Sequence, residues 1–374
     1  MSNLYFHYPF CKQACHYCNF HFSTSMQAQS SLWEAMKKEL KIRVDEVQKP
    51  LESIYFGGGS PSLIPSKELN LLLEDIHKTF SISNKLEITV EVNPDDVEKN
   101  YLEELLLAGV NRLSLGVQSF FDEDLKLMNR VHSAQQSENA LEAVANYFTN
   151  YTLDLIYGIP KSTLESWNQN LNIAMQYDPP HMSAYALTLE EKTVLHHAVK
   201  NKNILMIAEE EVQEQYNLLT HKMSRLGYVN YEFSNFGKTG FFSVNNQNYW
   251  NGMPYMGIGP SAHSFDGVSI RSWNISNNHL YTKALNQGKL NFEKEVLTTK
   301  DRYNEYIMTG LRKVEGLSLD HINAHFGSIY GQYLEDQVNR QLGLRNLYWD
   351  GDSLKVHQQA KFLTDGIAAD LFKI

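Results

Sequence analysis

Three cysteines, Cys11, Cys15 and Cys18, lie within eight residues and are the only cysteines of the chain. Soft thiolate ligands select zinc or iron–sulfur clusters, so cysteines gathered in one short segment indicate a metal centre. A disulfide framework is disfavoured because the number of cysteines is odd and their spacing is short. Zinc would need a fourth ligand, for which His16 is the nearby candidate. Because a [4Fe–4S] cluster usually takes four cysteines, three would leave one iron open to a small chelating molecule.

The length and net charge of the chain indicate which classes of protein it can belong to. Its 374 residues are enough for one large domain and a smaller one. The net charge is −10, from 43 acidic and 33 basic residues, whereas a nucleic-acid binder needs a dense basic face. Unpaired thiols indicate a reducing compartment, and neither a signal peptide nor an apolar run of membrane-spanning length is evident. We therefore expect a cytoplasmic protein that does not bind nucleic acid.

Hydrophobic patterns in the first half of the chain predict strands that alternate with helices. Such alternation favours parallel β/α units, and six strands are two short of a full eight-stranded barrel. The predicted strands are residues 4–8, 53–56, 86–92, 112–117, 151–157 and 182–187. The predicted helices are residues 27–47, 69–76, a helix that is capped by Asp95 or Asp96 and runs to Ala108, helices up to about Phe148, and residues 164–177.

Polar residues follow the predicted strands one after another, at the end of a parallel barrel where active sites lie. Glycines 57–59 follow the second strand, where they let the backbone approach a ligand or simply make a tight turn. Glu91 ends the third strand and Gln118 follows the fourth. Asp154 lies among apolar residues of the fifth strand, where a carboxyl needs a partner or a cavity. Arg130 offers a planar fork for a carboxylate. A solvated edge charge for Glu91 and an exposed helix-end cation for Arg130 remain alternatives.

Six motifs, taken in chain order, resemble one branch of a known superfamily. Cys-x3-Cys-x2-Cys is the signature of the radical S-adenosylmethionine (SAM) superfamily, and the other motifs resemble its HemN/HemW branch, the oxygen-independent coproporphyrinogen III oxidase-like family. The motifs are Tyr5 with Pro9-Phe10-Cys11, Phe56-Gly57-Gly58-Gly59-Ser60-Pro61-Ser62, Glu91-Val92-Asn93-Pro94, Gly116-Val117-Gln118-Ser119-Phe120, Asn129-Arg130 and Asp154-Leu155-Ile156-Tyr157-Gly158-Ile159-Pro160. The resemblance covers nearly the whole chain.

The resemblance implies both a fold and a cofactor site. The fold is α/β, a partial (β/α)6 TIM-like barrel. The site is a [4Fe–4S] cluster on Cys11, Cys15 and Cys18, whose free iron binds the amino and carboxylate groups of SAM. One electron from the cluster then splits SAM to a 5′-deoxyadenosyl radical. Carried over position by position, the expected SAM contacts are Tyr5, Gly58, Gly59, Ser60, Glu91, Gln118, Arg130 and Asp154, with Ser60 in place of the usual threonine.

The sequence pattern changes after Thr188, and we expect three regions. Residues 1–225 form the radical SAM barrel, 226–300 a connecting, haem-associated region packed on the barrel, and 301–374 a smaller α+β, winged-helix-like C-terminal domain. The middle region is rich in Asn, Tyr, Phe and Gly and shows little helical period. From Asp301 to Ile374 there are ten acidic and eight basic residues, a balance that favours a packing role over nucleic-acid binding.

Two departures favour the HemW haem-chaperone family over the coproporphyrinogen dehydrogenases. The dehydrogenase signature carries a fourth cysteine where this chain has Phe20, and a long arm precedes it, whereas ten residues precede Cys11 here. No basic cluster suits a porphyrinogen with several carboxylates. The resemblance thus implies a [4Fe–4S]- and SAM-binding protein that binds haem and transfers it to haemoproteins. Oxidative decarboxylation of coproporphyrinogen III is the alternative, and a zinc-stapled binding module is a third hypothesis.

The haem ligand is not evident from the sequence. HemW proteins carry a His-Asn-x-x-Tyr-Trp motif implicated in haem binding, but this chain has Asn245-Asn246-Gln247-Asn248-Tyr249-Trp250. Asparagine is a poor ligand for haem iron. His263, in a second motif over residues 257–264, is expected at the cofactor site as an iron ligand, beside SAM, or only as a hydrogen-bonding residue. The aromatic cluster of Tyr249, Trp250 and Tyr255 has a place in the core as its alternative role, which is the commoner one for such side chains.

The partners implied are haem, an acceptor haemoprotein and an electron donor for the cluster. The sequence leaves open a peripheral contact with a membrane, and the choice between monomer and homodimer. It also leaves open whether SAM is cleaved or only stabilises the fold.

Overall fold

The fold begins with six parallel strands that are neighbours in chain order. A computed structural model describes residues 1–374 in full. Each strand pairs in parallel with the next, so the predicted partial (β/α)6 barrel is confirmed. The strands are β1 (Asn3–Tyr8), β2 (Leu51–Gly58), β3 (Ile82–Val92), β4 (Arg112–Gln118), β5 (Tyr151–Tyr157) and β6 (His181–Ala186).

Helices follow the strands and bury one apolar stripe each. In the first helix, Leu32, Met36 and Leu40 lie four residues apart and are buried, as the helical period predicts. That helix ends at Ile42, earlier than predicted. The helices of this half are α1 (Gln29–Ile42), α2 (Ser66–Thr79), α3 (Lys99–Leu107), α4 (Asp122–Leu127), α5 (Ala134–Tyr147), α6 (Leu164–Gln176), α7 (Val194–Lys200) and α8 (Glu209–Arg225).

The sheet continues on both sides of the six parallel strands. Its further strands are β7 (Val229–Glu232), β8 (Asn235–Gly237), β9 (Tyr255–Ile258), β10 (His263–Phe265), β11 (Ile270–Asn274) and β12 (Phe292–Val296), with helices α9 (Val244–Trp250) and α10 (Asn278–Asn286) between them. The spatial order is β12-β11-β10-β9-β1-β2-β3-β4-β5-β6-β8-β7. The sequence does not predict these strands because each has only three to five residues, too few for a recognisable alternation.

A buried carboxylate fastens the β9–β11 extension to the barrel. Glu39 of α1 is fully buried and accepts hydrogen bonds from the Gly259 amide (2.9 Å) and the Asn274 side chain (2.8 Å). The Tyr281 hydroxyl of α10 also donates to it, and the Arg43 guanidinium pairs with it at 3.0 Å. The charge is tolerated in the interior because these donors satisfy it.

The predicted cap of α3 is wrong. The helix starts at Lys99, and its N-cap residue, Glu98, makes no side-chain capping bond. Asp95 and Asp96 lie instead in a short turn before the helix, where both carboxylates pair with Lys12, Asp95 at 2.8 Å. Lys12 belongs to the cysteine loop, so these acids hold that loop rather than a helix end.

The C-terminal residues form a smaller unit with a three-stranded antiparallel sheet in the order β13-β15-β14, which confirms the predicted α+β domain. A core of thirteen buried residues, from Tyr303 to Leu371, is separate from the 51-residue core of the barrel. The elements are α11 (Thr299–Arg312), β13 (Leu317–Ser318), α12 (Leu319–Phe326), α13 (Ser328–Gly343), β14 (Leu347–Asp350), β15 (Ser353–Val356) and α14 (Thr364–Asp370). None of the helices is both long and apolar enough to cross a membrane.

Replacing Glu39 by alanine should destabilise the fold by about 3–5 kcal/mol. The substitution leaves the buried donors of Gly259, Asn274 and Tyr281 without their acceptor and leaves Arg43 with Glu46 as its remaining ion-pair partner. Glu34→Ala, on the exposed face of the same helix, is the matched control and should change stability by less than about 0.5 kcal/mol. Urea denaturation followed by far-UV circular dichroism measures both. Similar losses for the two variants would contradict the anchoring role of Glu39.

Candidate functional site

A cavity of about 610 Å³ occupies the interior of the barrel below the cysteine loop. Its wall combines the C-terminal ends of the parallel strands with residues of the loop, including Cys18 and Phe20. Six of the residues predicted from the motifs line it: Gly59, Ser60, Glu91, Gln118, Arg130 and Asp154. The structure therefore brings together, around one cavity, side chains that are separated by almost a hundred residues in the sequence.

The three cysteines lie in the loop after β1, half-buried and unpaired. Contacts to the end of α4 and to the segment after it hold this loop. Asn129 donates to the Ala14 carbonyl at 2.7 Å, and His16 Nδ1 lies 2.9 Å from the Leu127 carbonyl oxygen. Burial raises the pKa of Cys11 to about 11, although the Ser60 hydroxyl opposes the shift. No three Cys, His, Asp or Glu side chains lie close enough together to hold a metal ion as they stand. Ligation of a cluster by this loop therefore stays a prediction.

The glycine loop after β2 lies directly against the end of β1. Gly58 has φ of 106°, a conformation that glycine adopts without strain. At Gly59 a Cβ atom would lie 2.6 Å from the Phe10 carbonyl oxygen and 2.7 Å from that of Tyr8, so only glycine fits. The Ser60 amide donates to the Phe10 carbonyl at 2.7 Å. The glycines thus bring Ser60 beside the start of the cysteine loop.

Two carboxyl groups face the interior of the barrel. Glu91 accepts hydrogen bonds from the Tyr55 hydroxyl at 3.0 Å and from the Gly58 amide at 3.2 Å. Burial nevertheless raises its pKa to about 7, and nearby Asp154 adds to the shift. Burial also raises the pKa of Asp154 to about 6, against the hydrogen bond from Ser114 at 2.9 Å. Both groups are therefore poised to ionise when a positive charge is placed beside them.

A buried guanidinium, that of Arg130, lines the same cavity as these carboxyl groups. Arg130 donates through Nη2 to the Asn93 side chain at 2.7 Å and to the Gly116 carbonyl at 2.9 Å. Its Nη1 lies 3.5 Å from the sulfur of Cys15, and its Nε is buried without a partner. Arg112 also lines the cavity, but its guanidinium pairs with Glu87 at 3.8 Å. The combination of Arg130 with a titratable acid suits a small zwitterion, with its ammonium at Glu91 and its carboxylate at Arg130. The amino-acid portion of SAM has this chemistry, so the residues present fit it.

Tyr5, Gly58 and His263 are also predicted site residues, but they are not among the residues that line the cavity. Tyr5 stacks on Tyr55, with ring centroids 5.8 Å apart, and burial next to Glu91 raises its pKa. His263 lies on β10 with its ring 5.8 Å from that of Trp273, and burial lowers its pKa. Its role as a cofactor ligand stays a prediction.

Two side chains of the site are not predicted from the sequence. Asn93 donates to the Ser60 hydroxyl at 3.0 Å and accepts from Arg130, so it joins the glycine loop to the guanidinium. Its place directly after β3 is the signal that could have identified it. Tyr55 lies two residues before Gly57, on the face of β2 that looks into the barrel, and supplies the hydroxyl that holds Glu91.

Comparisons with known proteins agree with this geometry. The Radical SAM superfamily model matches residues 5–173, and the HemN C-terminal domain model matches residues 297–363. A protein from Bacillus subtilis (strain 168) described as "Heme chaperone HemW" is 33% identical over 340 residues, 90% of this chain and 88% of the relative. The protein of the same description from Lactococcus lactis subsp. lactis (strain IL1403) is 32% identical, over 96% of this chain and 94% of its own. Coproporphyrinogen III oxidase (HemN) from Escherichia coli shares the fold, with a TM-score of 0.84 at 20% identity over 99% of this chain and 90% of that chain.

The parallel barrel with a cysteine loop and a glycine loop at its C-terminal end, followed by the small C-terminal domain, defines a radical SAM protein of the HemN-like fold. Within that class, the relatives from Bacillus subtilis and Lactococcus lactis match over most of their length and carry the same description. The chain belongs to the HemW family.

Glu91→Gln should raise the melting temperature by a few degrees at pH 8 and change it little at pH 5. In the folded protein the pKa of Glu91 is raised to about 7, so its contribution to stability is present at low pH and is lost as the pH rises through 7. A neutral amide removes that loss. Differential scanning calorimetry at the two pH values measures the effect, with Glu34→Gln as the surface control. A pH-independent change would contradict the raised pKa.

Proposed function

We propose that this chain is a haem chaperone that binds a [4Fe–4S] cluster and SAM in its barrel, binds haem, and transfers the haem to haemoproteins. The observation that carries the proposal is the match, at about one-third identity and over nearly the whole chain, to curated relatives described as "Heme chaperone HemW". The barrel site supports it, because the residues around the cavity fit the amino-acid portion of SAM.

We assign the cluster to Cys11, Cys15 and Cys18. When bound, a [4Fe–4S] cluster with SAM supplies an electron that can cleave the sulfonium of SAM. Arg130 Nη1 lies 3.5 Å from the Cys15 sulfur, so a positive charge faces the cysteine loop. The loop has few alternatives for a fourth protein ligand. Phe20 stands at the position of the fourth cysteine in the dehydrogenases, and its side chain is 65% exposed and carries no donor.

We assign different parts of SAM to different residues of the barrel. Glu91, held in place by a hydrogen bond from the Gly58 amide, forms the end that would receive an ammonium. Arg130 forms the end that would receive a carboxylate. Asn93 orients Arg130 and Ser60 together. Gln118 and Asp154 line the cavity further along the sheet, where the ribose and its hydroxyls would lie. The backbone of Gln118 has a positive φ of 70°.

The remaining proposals concern partners and location. An acceptor haemoprotein and a reductant for the cluster are the partners that this function requires. A reducing, cytoplasmic setting suits the three unpaired cysteines.

Anaerobic reconstitution with iron and sulfide should give a brown protein with about four irons per chain. Replacing Cys11, Cys15 or Cys18 singly by serine should abolish the chromophore, because each removes one of three thiolate ligands. Phe20→Ala in the same loop is the matched control and should retain it. Iron content and the EPR signal of the reduced protein measure the outcome. A cluster that survives loss of any one cysteine would contradict the assignment.

Haem transfer is the direct test of the proposed function. The protein loaded with ferric haem and mixed with an apo-haemoprotein should lose its Soret absorption as that of the acceptor appears, faster than haem is lost to buffer alone. Incubation with coproporphyrinogen III, SAM and a reductant should yield no protoporphyrin fluorescence. Protein that binds no haem, or that forms protoporphyrin, would contradict the proposal.

A further inference from the structure

A second cavity, of about 1020 Å³, lies between the barrel, helix α9 and the C-terminal domain; we call it the interdomain cleft. Acidic side chains outnumber basic ones in its lining. The charged residues are Glu209, Glu232, Asp365 and Asp370, against Arg312 and Arg340. None of them belongs to the predicted cluster or SAM site, so the cleft is a separate feature of the molecule.

Both arginines of the cleft already have an acidic partner. The Arg312 guanidinium donates through Nε to Asp365 at 2.9 Å, and its Nη2 pairs with the same carboxylate. Arg340 Nη1 lies 3.8 Å from Asp370. Because these two pairs compensate each other's charge, Glu209 and Glu232 supply the remaining charge of the lining. The cleft is therefore acidic, and its charge is complementary to that of a cationic partner.

The carboxyl group of Glu232 is buried and only partly satisfied. The residue is 2% exposed. The Ser234 amide donates to its Oε1 at 3.2 Å, and the Asn235 side chain donates to the same oxygen, which leaves Oε2 without a donor. Burial raises the pKa of Glu232 to about 7, and Arg312 opposes this shift only in part. A cation that enters the cleft would give this carboxylate the partner that it lacks.

Aromatic rings of the cleft offer a second kind of contact to a cation. The Arg312 guanidinium lies 5.4 Å from the ring centroids of both Phe233 and Trp250, so the cleft already holds one cation of this chain against aromatic rings. Tyr185 and Tyr249 also line the cleft and are 46% and 54% exposed. The face of such a ring attracts a guanidinium or ammonium group within about 6 Å. Exposed rings beside a buried carboxylate thus suit arginine and lysine side chains.

The acidic surface extends beyond the cleft along the start of α8. Glu209 lies in the first turn of this helix together with Glu210 and Glu211, and all three are exposed. The cleft itself is at the upper end of the range, about 300–1,000 Å³, that holds small organic ligands. A polypeptide with successive basic residues can contact both the buried Glu232 and these exposed acids, whereas a single small cation fills only part of the space.

We propose that the interdomain cleft binds a basic segment of a partner protein. One arginine or lysine side chain of the segment pairs with Glu232 and packs against the exposed rings of Tyr185 and Tyr249, and further basic residues face Glu209 at the start of α8. This inference goes beyond the proposed haem transfer, because it rests on the lining of the cleft and requires neither haem nor SAM.

The test is a titration of a fluorescein-labelled peptide of repeating Gly-Arg-Leu units with the full-length protein, followed by fluorescence anisotropy. The wild type should bind this peptide saturably and should not bind the same peptide with glutamate in place of arginine. Glu232→Gln should weaken binding by about tenfold and Glu209→Gln by about threefold. Tyr249→Leu should weaken binding, whereas Tyr249→Phe keeps the ring face and should bind as the wild type does.

The matched control is Glu142→Gln, which removes an exposed acid of α5 outside the cleft and should leave binding unchanged. Circular dichroism checks that each variant is folded. If Glu232→Gln does not fold, Glu209→Gln and Tyr249→Leu, which change exposed residues, decide the result.

Three results would overturn the inference. Equal losses in Glu142→Gln and in the cleft variants would mean that the peptide follows the net negative charge of the chain rather than the cleft. Unchanged binding in Glu232→Gln, Glu209→Gln and Tyr249→Leu would place the peptide elsewhere. Equal binding of the glutamate peptide would exclude recognition by charge. Each of these results leaves the haem-chaperone proposal as it stands, because that proposal is tested by haem transfer.

Discussion

The upper end of the barrel depends on the contact between the glycine loop and the end of the first strand. The Gly59 amide donates to the Tyr8 carbonyl at 2.8 Å, and the backbone is so close that any side chain at Gly59 would collide with carbonyl oxygens. The chain that leaves this contact begins the cysteine loop at Cys11. Backbone packing between the ends of β1 and β2 therefore fixes where the cysteine loop begins relative to the barrel cavity.

Several ionisable groups in the interior of the barrel have fewer hydrogen-bond or ion-pair partners than they can accept. Arg130 has hydrogen-bond partners for its terminal nitrogens but none for Nε. Glu91 and Asp154 line the same cavity. Their pKa values are raised because hydrogen bonds from Tyr55 and Ser114 do not offset the loss of water. Where an interior is built only for stability, such groups are paired or replaced by apolar ones. Perturbed carboxyl groups in a cavity are instead typical of ligand sites.

The sequence predicts the parts of the fold that carry long or chemically distinctive signals. Six strands and the residues at their ends are predicted because each strand is a run of six to eleven residues with a clear apolar pattern. The roles of Asn93 and Tyr55 are not predicted, because they depend on contacts between side chains of different strands. The sequence does not predict the short strands β7 to β12. It does not predict α9 either, because three of its seven residues are asparagines, which are poor helix formers. Asp96 shows the opposite error, since a residue typical of helix caps binds Lys12 instead.

The central claim is that three thiolates hold a cluster and leave one iron for the amino-acid end of SAM. Electron–nuclear double resonance on the reduced, reconstituted protein, with SAM labelled at its amino nitrogen, tests this claim most directly. The account predicts a coupling between the labelled nitrogen and the cluster that disappears when SAM is left out. A reduced cluster that shows no such coupling, or one in which a protein group occupies every iron, would contradict it.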